Sequence, residues 1–161
     1  MTPAEIRAAI AADAVLLAQA RAAASEADIE AIAAALSVGR TEVYSRMTSA
    51  RGLAELMPGG PLAAEAVLLK LEGARDTMLA SQDAQTSVLG SLLKRQLGFL
   101  SGDGLDFGSA ALRGMLDQFG ALGVLTTQEV AALKTIGTRP AQISAIAVKA
   151  AIYADDGTLL V

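Results

Sequence analysis

The residues between Ile29 and Met47 have the types and spacing of a helix-turn-helix, a motif that binds DNA. A helix ending in Ala-Ala-Leu is followed by a short Ser-Val-Gly turn and then by a polar segment that begins at Arg40. In this motif the second helix lies in the major groove, where its side chains contact the bases. The candidate DNA-binding residues are Arg40, Thr41 and Ser45, which would face the duplex, and Arg46 and Arg51, which would lie near phosphates.

Other features of the sequence weaken the DNA-binding interpretation. Ser37 stands where the turn usually has glycine, and Glu42 would lie on the helix that contacts the bases. The net charge is −4 and the pI is about 4.8, so the chain as a whole is not attracted to phosphate. An alanine-rich helix followed by a glycine turn also produces such a string without any role in DNA binding. Helix-turn-helix DNA binding through residues 29–47 is therefore kept as the alternative function.

The ionisable residues form no recognisable catalytic or metal-binding motif. The chain has no cysteine and no histidine, which excludes disulfides, thiol nucleophiles, the common zinc ligand sets and histidine-based triads. Asp13 and Glu65 lie among apolar residues, but both positions fit solvated helix faces. Asp103 and Asp106 lie beside glycines, but the full ligand pattern of a calcium loop is absent. The sequence therefore predicts a protein that is not an enzyme, with no catalytic residues, no cofactor and no metal.

Residues 108–137 predict the best-defined structural element, a hairpin of two amphipathic helices. Apolar side chains at positions 112, 115, 116 and 119 fall on one face of the first helix. The second helix begins with a capping box, in which the side chains of Thr126 and Glu129 each bond the other residue's backbone amide. Gly137 and Pro140 end it. The hairpin should pack an apolar inner face and carry no chemistry.

The remaining segments predict further helices. Caps at residues 2, 25 and 61 start helices that reach about residues 24, 36 and 79, the first with a break near Asp13, and further helices cover about 82–100 and 142–153. Residues 37–51 fit either a short helix or an extended segment. Asp155-Asp156-Gly157 predicts a turn before a β-prone tail at 158–161. We expect an all-α fold with a single domain of about six to seven packed helices over residues 1–161, with a possible subdivision at the 101–104 linker.

Three of these helices are expected to bury a face rich in leucine or isoleucine. The candidate core residues are Leu62, Ala66, Val67, Leu68, Leu69 and Leu71 in the first, Val88, Leu89, Leu92, Leu93, Leu97 and Leu100 in the second, and Ile143, Ile146, Ala147 and Ala150 in the third.

The composition favours a protein that binds other proteins. Hydrophobic residues make up 53% of the chain and the mean hydropathy of +0.45 is high for a monomer, so we expect either exposed alanines or an apolar face covered by a partner. The β-prone tail could add a strand to a partner's sheet. No stretch is long and apolar enough to predict a transmembrane helix, and Glu5 and Asp13 interrupt any signal-peptide pattern. A soluble protein that forms a homo-oligomer is therefore expected.

Several short stretches resemble a group of small, uncharacterised tailed-phage and prophage proteins. The matching segments are Thr2–Ile10, Ala35–Thr41, Gly123–Lys134, Arg139–Pro140 and Val148–Tyr153. The resemblance implies a structural protein of a bacteriophage virion, attached to the capsid or the tail and soluble in the host cytoplasm before assembly. It implies other virion proteins or a second copy of the chain as partners, rather than nucleic acid or a membrane. It transfers no site residues.

Overall fold

The computed structural model describes residues 1–154 and 156–161, and this part of the chain is mainly helical. The helices are α1 (Pro3–Ala12), α2 (Ala14–Ala22), α3 (Glu26–Ser37), α4 (Ala50–Leu56), α5 (Gly60–Leu79), α6 (Ala84–Ser101), α7 (Ala110–Ala121), α8 (Thr127–Ile136) and α9 (Ala145–Ile152). The strands are β1 (Thr41–Val43), β2 (Met47–Thr48), β3 (Leu105–Asp106) and β4 (Thr138–Pro140). The predicted all-α class is confirmed.

The chain divides into two compact units. The first combines residues 1–42 with residues 140–161, and the second contains residues 43–139. The two boundaries between the units fall within β1 and within β4. The linker at 101–104 lies inside the second unit, between α6 and β3. The single domain over residues 1–161 stays a prediction.

In the first unit, local capping sets the helix boundaries. Thr2 and Glu5 form the predicted capping box at the start of α1. The predicted break at Asp13 is confirmed, because its carboxylate accepts hydrogen bonds from the amides of Val15 and Leu16 and thereby starts α2. The core of this unit draws on α1, α2, α3 and α9, and its buried residues are Ile6, Ile10, Ala20, Ile29, Ile32, Ala33, Leu36, Val148, Ala151 and Ile152.

The C-terminal tail folds back on the end of α9. The amide of Leu160 donates to the carbonyl of Ile152 at 2.7 Å, and the amide of Ala154 donates to the carbonyl of Thr158 at 2.8 Å. In the predicted turn, Gly157 has a left-handed backbone (φ +82°), while Asp155 lies outside the described residues. Part of the tail's backbone is therefore paired within its own chain, which leaves less of it for a partner's sheet.

The second unit contains two helical hairpins, α5–α6 and α7–α8, with α4 packed against α5. The predicted hairpin at 108–137 is confirmed, since Leu112, Leu116 and Phe119 are buried and the capping box at the start of α8 is present. Lys70 on α5 donates to Glu129 of that box at 2.6 Å. The core comprises Leu53, Met57, Ala64, Val67, Leu71, Met78, Leu93, Leu100, Phe107, Leu112, Leu116, Phe119, Leu125, Val130, Leu133 and Ile136.

The ambiguous segment at 37–51 is largely extended. Its backbone groups bond to distant residues: the amide of Tyr44 donates to the carbonyl of Gly137, and the amide of Phe107 donates to the carbonyl of Arg46. Strand β2 pairs antiparallel with β3, with Met47 opposite Asp106 and Thr48 opposite Leu105. These long-range bonds replace the bonds of a helix. The second helix that the helix-turn-helix interpretation requires is therefore not formed, and that part of the prediction is wrong.

Candidate interaction surface

The five candidate DNA-binding residues are divided between the two units. Arg40 and Thr41 belong to the first unit, whereas Ser45, Arg46 and Arg51 belong to the second. Four of them lie outside any helix, because Arg40 precedes β1, Thr41 lies in β1 and the chain from Tyr44 to Arg46 is without helix, whereas Arg51 lies in the first turn of α4. DNA binding by these residues stays a prediction, and it would have to use an extended segment.

In the second unit, the polar side chains of this segment have structural partners. The guanidinium of Arg46 donates to the hydroxyl of Tyr44 at 3.0 Å, and that of Arg139 lies over the Tyr44 ring, 5.1 Å from its centroid. A cation over an aromatic ring is attracted by the negative face of that ring. Arg51 pairs with Glu55 one turn further along α4, with the nitrogen and oxygen 3.4 Å apart. Arg46 and Arg139 are therefore held against Tyr44, whereas the pair of Arg51 and Glu55 is exposed to solvent and contributes little to stability.

Asp106 connects β3 to the extended segment. The sequence did not predict this contact. The carboxylate of Asp106 accepts hydrogen bonds from the amide of Arg46 at 2.8 Å, the amide of Gly108 at 2.9 Å and the hydroxyl of Ser45 at 2.9 Å. The bond from the Arg46 amide is the main cause that lowers the pKa of Asp106, because each such bond stabilises the ionised form. In this position the carboxylate stabilises the fold through three donors of its own chain.

Other carboxylates form capping hydrogen bonds at the N-termini of helices. Hydrogen bonds from Thr2 lower the pKa of Glu5, and hydrogen bonds from Ser25 and Ala24 lower the pKa of Asp28. The hydrogen bond from Lys70 is the main cause that lowers the pKa of Glu129. Within residues 1–154 and 156–161, no group of three acidic residues is close enough together to hold a metal ion. In the same ranges, no helix is long and apolar enough to cross a membrane.

The outer side of α5 presents large apolar side chains to solvent. Leu62 is 86% exposed and Leu69 is 59% exposed, although both were predicted to be core residues. That prediction is wrong because α5 is apolar on two opposite sides, and the side with Val67 and Leu71 faces the core. Ala66 lies between the two exposed leucines and is also exposed. The helix therefore has a second apolar stripe that no residue of this chain covers within the described ranges.

Helix α6 has a similar outer stripe. Val88 is 67% exposed, Phe99 is 45% exposed and Leu92 is exposed as well, whereas Leu93 and Leu100 are buried. The prediction of Val88 and Leu92 as core residues is therefore wrong. Part of this signal is in the sequence, because Val88 and Phe99 extend the apolar surface of α6 beyond the arc that its leucines cover.

The outer sides of α5 and α6 carry opposite charges. Glu65 and Glu72 are exposed on α5, and the described residues place no cationic nitrogen within 4.0 Å of either carboxylate. Lys94 and Arg95 are exposed on α6, which has no acidic residue between positions 84 and 101. We call the α5 stripe with Glu65 and Glu72 the acidic face, and the α6 stripe with Arg95 the basic face.

A groove of about 660 Å³ lies within the first unit, between the start of α3 and the outer side of α9. Its wall includes Ile29, Ile146 and Ala150, with Glu26 and Lys149 at its polar positions. Ile146 is 81% exposed, so its prediction as a core residue is wrong. Val148, Ala151 and Ile152 are the fully buried residues of this helix. Ala150 is exposed like Ile146, whereas the predicted Ile143 and Ala147 are partly buried and pack against the core.

Comparisons with known proteins identify no relative: no family model, no curated protein and no solved structure matches this chain.

Proposed function

We propose that this chain is a non-enzymatic structural component of a bacteriophage virion, and that it binds other virion proteins or a second copy of itself through the outer sides of α5 and α6. The observation that carries this proposal is the exposure of Leu62, Leu69, Val88, Leu92 and Phe99 on one helical hairpin. Apolar side chains that line a helix at regular spacing and remain in solvent are typical of a surface that another protein covers.

The energies of burial support binding at this surface. Fully burying one leucine, valine or phenylalanine side chain contributes roughly 1.5–3 kcal/mol. The five side chains are between 39% and 86% exposed, so covering all of them would contribute a free energy of the same order as the cost of association. The α5–α6 hairpin is itself held by the second unit's core, so its outer side is presented on a rigid support.

The phage assignment rests on the resemblance of the short segments at both ends of the chain. A virion protein must assemble with many neighbours, and apolar helical faces suit that task. The identity of the neighbouring proteins in the particle distinguishes attachment to the capsid from attachment to the tail.

Incorporation into particles tests the proposal. In a phage that encodes this chain, purified virions should contain it at a defined copy number by quantitative mass spectrometry. Leu69→Glu should reduce its amount in particles by about tenfold or more, because a charge replaces an apolar contact worth more than about 1.4 kcal/mol. Cross-linking mass spectrometry of the same particles identifies the neighbouring protein.

Val15→Glu is the matched control. Val15 is 66% exposed on α2, which is close to the exposure of Leu69, but it lies in the other unit. This variant should be incorporated like the wild type. The proposal would be contradicted if the wild-type chain were absent from purified particles, or if both variants were incorporated equally.

A further inference from the structure

We propose that one partner of these surfaces is a second copy of this chain, with the acidic face of α5 in one copy packed against the basic face of α6 in the other. The inference deepens the proposed function, since it uses the same hairpin and names the partner. The two faces match in three respects: their spacing, the sizes of their side chains and their charges.

The two faces share one spacing. On α5 the exposed positions 62, 66, 69 and 73 are separated by four, three and four residues, and on α6 the exposed positions 88, 92, 95 and 99 repeat that pattern. Alternating steps of four and three residues define the seam along which two helices pack side by side. Both helices are long enough for such a seam, because α5 has 20 residues and α6 has 18.

The side chains along the two seams differ in size in a complementary way. The α5 seam contains Ala66 and Gly73, and a side chain added at Gly73 would meet only open space. Such small residues leave holes between the leucines and let another helix approach closely. The α6 seam contains Leu92 and Phe99, which are large enough to fill holes of that kind. Shape complementarity therefore favours a contact between α5 and α6 of different copies over a contact between two α5 helices or two α6 helices.

Charge favours the same pairing. Two copies of the acidic face would bring Glu65 and Glu72 close to their own copies, and two copies of the basic face would do the same with Lys94 and Arg95. Like charges placed together across an interface disfavour association, whereas opposite charges speed the encounter and fix the pairing. The two cations of α5 are already paired, Lys70 with Glu129 and Arg75 with Asp76. Arg75 also attracts Glu72, but the outer side of α5 keeps more negative than positive charge, because Glu65, Glu72 and Asp76 are all exposed there. The contact is thus between unlike faces.

Such a contact is either reciprocal, as in a two-fold dimer, or continues from copy to copy into a ring or filament. In both cases every contact joins α5 to α6. Substitutions that reverse the charge of one face should therefore be corrected by the opposite reversal on the other face of a different copy.

A charge exchange between full-length variants tests this inference. Arg95→Glu replaces the positive charge at the centre of the α6 seam with a negative one, and Glu65→Lys with Glu72→Lys makes the α5 face basic. Wild-type chain should self-associate in sedimentation velocity at micromolar concentration and moderate salt. Each variant alone should associate about tenfold or more weakly. An equimolar mixture of the two should associate like the wild type, because both of its α5–α6 contacts again join opposite charges.

Arg21→Glu on α2 is the control for charge reversal at a distant exposed site, and it should associate like the wild type. Circular dichroism of every variant checks that the helices remain folded. The inference is overturned if the wild type is monomeric at high micromolar concentration, if the mixture associates as weakly as its components, or if Arg95→Glu strengthens association. A monomeric chain that still enters virions through Leu69 would overturn this inference alone, whereas an oligomer absent from virions would overturn the virion role alone.

Discussion

Replacing Gly108 with alanine is expected to destabilise the second unit by at least about 3 kcal/mol, the upper part of the range for steric overpacking. A Cβ atom at this position would lie against the backbone carbonyl of Tyr44 at a distance that real Cβ atoms do not adopt. The obstacle is backbone rather than a flexible side chain, so the clash is relieved only if the segments around Tyr44 and Gly108 move apart. Gly137 is in the same situation, with the carbonyl of Phe107 against it.

Gly114→Ala provides the control for the Gly108 prediction. Gly114 lies on α7 in the same unit, and an added Cβ would meet nothing within 4 Å. Alanine should therefore stabilise α7 by about 0.5–1 kcal/mol, because it favours the helix over the unfolded chain. Urea unfolding followed by circular dichroism measures both changes. Equal stabilities of the Gly108 variant and the wild type would show that the backbones do not meet in this way.

Replacing Ile152 with alanine is expected to cost about 2–5 kcal/mol, the range for removing most of a buried aliphatic side chain. Ile152 is fully buried in the first unit, where α9 completes the core formed by α1, α2 and α3. The next residue adds a fixed contact, because the hydroxyl of Tyr153 donates to the carbonyl of Ala23 at 2.8 Å. The loss should therefore reach helices that are more than a hundred residues away in sequence.

Ile146→Ala is the matched control, since Ile146 is on the same helix but exposed. It should change the free energy of unfolding by less than about 0.5 kcal/mol. The chain has two tyrosines, one in each unit, and no tryptophan. In a Tyr44→Phe background, tyrosine fluorescence therefore reports on Tyr153 and the first unit. If Ile152→Ala and Ile146→Ala had equal effects there, the two ends of the chain would not share a core.

Local interactions made the helix starts predictable. The capping boxes at Thr2 and Thr126 and the break at Asp13 depend on residues two or three positions away, so a short stretch of sequence contains all the information. The same holds for the α7–α8 hairpin, whose apolar face follows a single helical stripe.

Long-range interactions explain what the sequence did not predict. The segment around Tyr44 is extended because its partners are Gly137 and Asp106, which no local pattern identifies. For α5, α6 and α9 the predicted core residues include both buried and exposed positions, because a helix that is apolar on two sides does not reveal which side faces the core. The combination of both chain ends in one unit likewise depends on contacts between distant residues. The candidate surface was found only once the exposed sides of α5 and α6 were known.

Cross-linking between single-cysteine variants tests the central claim most directly, since the chain has no cysteine of its own. Leu69→Cys places a thiol on the acidic face and Leu92→Cys places one on the basic face. Helices packed side by side have axes about 8–10 Å apart, so a short bis-maleimide can join residues across the contact. The account predicts that a mixture of the two variants forms a 69–92 cross-linked dimer far faster than either variant alone or either one mixed with Val15→Cys. Equal yields in all of these mixtures, or no cross-linking in any, would contradict the pairing of α5 with α6.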